Sequence, residues 1–118
     1  YNADNDLVLM RYADILLMKA EALFRTNKPD EALPLINQIR TRSHATPFTS
    51  LNLQKIENER AREFIWEGYR RRDMIRFESY FTGIWEFKTT QTSTDYGVYP
   101  IPESELNANP NLVQNPGY

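Results

Sequence analysis

The sequence predicts a mainly α fold: a helical hairpin, further charged helices, a long irregular loop and an extended C-terminal tail. Three observations predict it. Apolar residues recur at helical spacing from Leu7 to Ile39. Glutamates and arginines crowd the stretch from Glu57 to Arg76, and prolines and asparagines crowd Tyr99 to Tyr118. With 118 residues, 41% apolar and 25% charged, the chain is long enough for one domain with its own core.

A helix is expected from Leu7 to Thr26, because Leu9, Ala13, Leu16, Ala20 and Leu23 recur at steps of four and three. Asp4 or Asp6 suits its start and Asn27 its end. Lys28-Pro29-Asp30 makes a short turn. The second helix begins at Pro29 or Asp30, where proline and acids are favoured, and Pro34 falls early enough to lose few hydrogen bonds. It turns Ala32, Leu35, Ile36 and Ile39 inward. So short a connection makes the two helices antiparallel. From Ala13 to Thr46 the pair resembles one tetratricopeptide unit, with Ala20 and Ala32 at small positions and Ile36 at a large apolar one. The sequence holds no second copy, so residues 7–46 leave a stacking face for something else to cover.

After a polar loop from Arg42 to Leu53, charged helices are expected across 53–80: one from Leu53 to Gly68, a shorter one from Arg71 to Tyr80. Glu59, Glu63 and Glu67 stand four residues apart, so one helical face carries three carboxylates that repel by a few tenths of a kcal/mol per pair. Such a stripe needs facing cations. A fold-back at Gly68 brings Arg70, Arg71, Arg72 and Arg76 against it, and planar guanidinium groups suit partly buried pairing. Glu59, Arg60, Glu63, Glu67, Arg70, Asp73 and Arg76 are therefore read as a structural network rather than as reactive groups.

Other chemistries fit this stretch poorly. Di-iron carboxylate bundles need two Glu-x-x-His pairs, and the single histidine, His44, lies in a loop. Glycoside cleavage needs a carboxyl of raised pKa, whereas neighbouring arginines lower it. The Arg70–Arg72 run with Tyr69 and Tyr80 suits phosphates, but interleaved acids and a net charge of −2 argue against nucleic acid. With no cysteine there is no disulfide or thiolate metal site. No catalytic residue, metal or cofactor is expected. No apolar run approaches the roughly 20 residues that span a bilayer. The chain opens at Tyr1 without methionine, signal peptide or lipid-attachment cysteine, as expected of a piece cut from a longer protein.

Residues 81–98 read as a variable loop of threonines and scattered aromatics, with at most a brief strand pair. In 99–118, Pro100 and Pro102 hold the chain extended around Ile101, which is expected to plug an apolar pocket. Ser104 to Leu106 suits one turn, and Asn109-Pro110 and Asn115-Pro116-Gly117 are turn formers. Such a tail is expected to lie across helices as an ordered strap, with Leu112 and Tyr118 as further anchors.

Four stretches together resemble the C-terminal domain of the SusD/RagB family of outer-membrane nutrient-binding lipoproteins. They are LMRYADILLMKAEAL (Leu9–Leu23), EALPLINQIRTRS (Glu31–Ser43), ERAREFIWEGYRRRDMIRF (Glu59–Phe77) and YPIPESELNANPNLVQNPGY (Tyr99–Tyr118). The third is similar to the family pattern ER-x-x-EF-x-x-EG-x-R-x-x-D-x-x-R, which Glu59, Arg60, Glu63, Phe64, Glu67, Gly68, Arg70, Asp73 and Arg76 match without a gap. Phe81 to Val98 matches nothing specific. The resemblance implies a SusD-like α-α superhelix and a non-enzymatic protein of the cell surface that binds oligosaccharide or another nutrient. It implies a SusC-like TonB-dependent transporter as partner, an N-terminal part of the same lipoprotein, and a lipid anchor on a cysteine outside this chain. Flat aromatic faces stack on sugar rings, so Trp85, Tyr96 and Tyr80 are the candidate ligand contacts, with Asp95 or Gln91 as hydroxyl partners. The rival reading is a tetratricopeptide-like module that binds protein.

Overall fold

The apolar stripe of the first helix is buried as one face: Ala13, Leu16, Leu17 and Ala20 pack inward with Ala32, Ile36 and Ile39 of the second. The structure is a computed structural model that describes residues 8–118, and the fold is mainly α. It divides into two units, one ending at Asp73 and one running Met74–Tyr118.

In the first unit, α1 (Tyr12–Arg25) and α2 (Pro29–Arg42) form the hairpin, and α3 (Leu53–Glu63) packs on α1. Ala20 and Ala32 are fully buried, so small side chains let the two backbones approach. Leu17, Ile36 and Ile56 are fully buried too, each stabilising by about 1.5–3 kcal/mol. Both hairpin helices stop in the same way. Asn27 (φ 61°) takes the left-handed conformation after α1, its N–H bonding Phe24 O while Lys28 N–H bonds Leu23 O. His44 (φ 53°) does the same after α2, with His44 N–H to Thr41 O and Ala45 N–H to Arg40 O. These paired bonds satisfy carbonyls that a helix end leaves open. The lone histidine thus serves as a backbone stop. The polar loop that follows is pinned by Asn37, whose amide exchanges two hydrogen bonds with the Phe48 backbone (2.9 and 2.8 Å). Asn52 then caps α3 by accepting from Lys55 N–H at 2.8 Å.

Two boundaries differ from the sequence expectation. α1 starts at Tyr12 rather than Leu7, and Leu9 is 81% exposed instead of joining the stripe. Asp4 and Asp6 lie outside the described residues. α3 stops at Glu63, short of Gly68. One side chain bears on both changes. Arg11 is extended at the head of α1, and its Nη2 donates to the Glu63 carbonyl at 2.8 Å. That carbonyl would otherwise accept from Glu67 N–H, which bonds Phe64 O instead.

The second unit holds the end of α4 (Arg70–Arg76), α5 (Ser79–Thr82), a 3₁₀ turn (Thr94–Gly97) and α6 (Glu103–Ala108). The helix expected from Arg71 to Tyr80 is divided at Glu78, whose φ of 66° cannot continue it. The loop contains one antiparallel bridge, Trp85 to Lys88, closed by two backbone bonds of 2.9 Å. The tail is ordered by its own amides. Gln114 bonds both backbone groups of Ile101 (2.8 and 3.0 Å), imitating a neighbouring strand. Asn115 Nδ2 donates to Tyr99 O at 2.7 Å and Tyr118 Oη to Val98 O at 3.0 Å. Gly117 (φ 89°) is required twice over, because a Cβ there would also lie 2.7 Å from Asp95 Cβ. Ile101 is half-buried, whereas Leu112 keeps much of its surface in solvent. The expected single turn at Ser104–Leu106 extends to the whole of α6.

Gln114→Ala is expected to free both Ile101 backbone groups, lowering stability by about 1–2 kcal/mol and speeding Ile101 amide exchange. Unchanged exchange at Ile101 would mean the tail is held by something other than this amide pair.

Candidate functional site

The charged stretch builds outward from Arg60, which is 1% exposed on α3. Its Nε donates to Asp73 Oδ2 at 2.8 Å, and its Nη2 lies 3.0 Å from Asp14 Oδ1. Asp14 comes from α1 and Asp73 from α4, so one guanidinium ties three elements. Phe64 and Tyr69, stacked with centroids 4.7 Å apart, flank the same guanidinium at 5.1 and 5.9 Å. Partial burial, and then the Asp14 charge, push the Tyr69 phenol above its usual range. Tyr69 Oη donates to Leu9 O at 3.0 Å, fastening the lead-in to α1.

Around this centre each glutamate of the stripe meets an arginine. Arg11 holds Glu63 Oε1 at 2.8 Å and both Glu67 oxygens at 3.0 and 2.7 Å. Arg42 takes the other Glu63 oxygen at 2.6 Å. Glu59 Oε2 accepts from Arg40 and Arg62, each at 2.6 Å. The Glu67 and Glu63 carboxylates hold Arg11 above its ordinary pKa. Burial alone would raise the Glu63 carboxyl, but the Arg42 and Arg11 bonds outweigh it and leave its pKa lowered. That is the opposite of what a proton-donating acid needs.

Glu59, Glu63 and Glu67 thus pair with Arg11, Arg40, Arg42 and Arg62. Arg70 pairs with Glu57 at 3.1 Å, Arg72 stands over the Tyr69 ring and Arg76 over Phe77. Glu67 follows the end of α3 rather than sharing its face, and Arg11 draws it back toward Glu63. Arg11, Arg40 and Arg42 escaped the sequence reading because their partners lie 19 to 56 positions away. Arg40 and Arg42 lie in the last turn of α2.

The turn after α3 carries an unusual residue. Trp66 has φ of 66°, a left-handed conformation that costs a bulky residue about 1–2 kcal/mol, and it is 97% exposed. Gly68 (φ 77°) closes the turn, and a Cβ there would meet nothing within 4 Å, so glycine is needed for its backbone angle and not for space. Beside the turn lies a cleft of ≈ 420 Å³ lined by Phe64, Trp66, Tyr69, Arg70 and Arg71, among others.

The candidate sugar contacts all fall in the second unit. Trp85 is 45% exposed, and the Lys88 ammonium stands 4.8 Å from its ring. Tyr96 is 42% exposed and meets Tyr118 edge-on at 5.4 Å. Tyr80 is half-buried, edge-on to Phe81 at 5.4 Å. Asp95 accepts from Ser93 Oγ at 2.9 Å, and Gln91 is exposed.

Comparison with known proteins places the whole arrangement. The SusD family model matches residues 1–118. This chain belongs to the SusD family. It is 38% identical over 98% of its length to the starch-binding protein SusD of Bacteroides thetaiotaomicron, covering 22% of that protein. It is 32% identical to the SusD-like protein P38 of Formosa agariphila, covering 25% of it. Among solved structures, surface glycan-binding protein A of Bacteroides thetaiotaomicron superposes with a TM-score of 0.85 at 30% identity, over 98% of this chain and 26% of the other. The chain thus spans about a quarter of the length of these relatives. Ion pairs engage Glu59, Arg60, Glu63, Glu67, Arg70 and Asp73 of the stretch that resembles the family pattern.

Arg60→Met is expected to strand Asp14 and Asp73 without their cation, costing about 3–5 kcal/mol in denaturant unfolding. Adding Asp14→Asn and Asp73→Asn should recover most of it; failure to recover would mean that packing, not charge, is what Arg60 supplies. Because the folded Glu63 pKa is depressed, its contribution is present above the unfolded carboxyl value near 4.5 and is lost as pH falls below it. Melting temperature against pH should therefore fall less steeply on that acid side in Glu63→Gln, and parallel curves would contradict the assignment.

Proposed function

We propose that this chain is the C-terminal part of a non-enzymatic, cell-surface glycan-binding protein that works with a SusC-type TonB-dependent transporter in the outer membrane. The likeness to the starch-binding SusD, 38% identical across 98% of the chain, carries the proposal. The site geometry agrees with it: acids engaged by arginines make a framework rather than a reactive centre. The lipid anchor sits on a cysteine upstream of this chain. The outward face of α1, where Tyr12, Ile15 and Met18 are exposed, receives a preceding helical pair. The half-open rings of Trp85 and Tyr96 offer flat faces for sugars, and half-buried Tyr80 is a third candidate.

A glycan array on the full-length protein tests this, followed by affinity measurements on the best ligand. Trp85→Ala and Tyr96→Ala are each expected to weaken binding about tenfold, equivalent to about 1.4 kcal/mol. Equal affinity in both variants would move the sugar contacts elsewhere. Silence across a broad glycan panel would sink the glycan-binding proposal itself.

A further inference from the structure

The loop of the second unit contains a tight hairpin whose two sides carry different chemistry. Trp85 and Lys88 form its bridge, with Glu86 and Phe87 as the turn between them. Each donates its N–H to the other's carbonyl at 2.9 Å, and residues paired in this way stand their side chains on one face of the ribbon. The six-membered ring of the indole lies against Gly83, where a Cβ would come 3.0 Å from Trp85 Cζ3 and 2.5 Å from the Ser79 carbonyl oxygen. The Lys88 ammonium donates to the Gly83 carbonyl and stands 4.8 Å from the Trp85 ring. A glycine backbone and a lysine thus hold the indole in place, yet the residue remains 45% exposed.

Lys88 is the feature that a plain sugar platform does not need. Cations of the first unit answer acids: Arg40 meets Glu59, Arg42 meets Glu63 and Lys28 meets Glu31. Lys88 is half-buried, and among the described residues no carboxylate pairs with it. A carbonyl dipole and an indole face stabilise an ammonium without neutralising it, so its charge still favours an anion nearby. Glu86, the acid of the same turn, is exposed and screened by water. Phe87 is 89% exposed and adds apolar surface to the hairpin tip. Thr89, Thr90 and Gln91 follow, all exposed, and supply hydroxyl and amide groups.

We propose that this hairpin selects acidic oligosaccharides. The apolar face of a sugar ring lies on the Trp85 indole, and a carboxylate or sulfate of the same saccharide pairs with the Lys88 ammonium. Stacking supplies affinity for any pyranose, and the charge-assisted bond supplies the choice among them. A neutral glycan in the same place would strip water from the ammonium without replacing it, which costs affinity. The inference rests on the glycan-binding function proposed above and deepens it by naming the class of sugar.

An array of oligogalacturonates, sulfated heparin oligosaccharides and malto-oligosaccharides, read with the full-length protein, tests it. The carboxylate and sulfate arms separate the two sources of charge. One of them is expected to bind about tenfold or more tightly than the neutral arm, with the preference shrinking as sodium chloride is raised. Lys88→Met is expected to abolish the preference and its salt dependence, and Lys88→Arg to keep both. Equal or tighter binding of the neutral arm overturns the proposal and leaves the glycan-binding function standing. A preference indifferent to salt, or one that survives Lys88→Met, overturns it by placing the selection elsewhere. Silence in all three arms and across a broad glycan panel removes the function proposed above and this proposal with it.

Discussion

One guanidinium decides how the helices of the first unit meet. Arg60 is buried on α3 between Asp14 of α1 and Asp73 of α4, so each of those helices is fixed in register by a charge that tolerates no other neighbour. A desolvated ion pair is a poor source of net stability, because removing water from the charges costs about what their attraction returns. Its contribution is selectivity. A slip of α1 by one residue would leave Asp14 facing apolar atoms and Arg60 short of a partner. The core around it, small alanines and a few aliphatics, would accept such a slip with less resistance.

The outer ring of pairs extends the same logic to the backbone. Arg11 does three things with one side chain: it satisfies Glu63, it satisfies Glu67, and it takes the carbonyl that would have continued α3. Ending the helix there creates the turn in which Trp66 and Gly68 are left-handed. The exposed Trp66 and the cleft beside it lie at that termination. In this sense the acidic and basic residues of the motif shape a surface as well as a core.

The first two helices were legible because a 3.6-residue period, an early Pro29 and a stop at Asn27 agree with one another. The end of α3 was not legible, since nothing local to Glu63 announces that an arginine 52 positions earlier takes its carbonyl. The presence of a network could be read from like charges spaced along a helix, which demand compensation. Its wiring could not, because Arg11, Arg40 and Arg42 reach Glu59 and Glu63 through tertiary folding. The tail was legible in kind, by its turn formers, and illegible in detail. A glutamine that pairs with a backbone thirteen residues away leaves no periodic trace. The left-handed backbone and the exposure of Trp66 are visible only in the structure.

The account depends on Arg60 being a locked, desolvated cation, and the exchange rate of its Nε–H, followed by nuclear magnetic resonance at neutral pH, measures that directly. A rate as slow as that of the best-protected α1 amides, set by global unfolding, is what the structure requires. Exchange as fast as that of an exposed arginine would show water reaching the guanidinium, and the framework would then have to be held by packing alone.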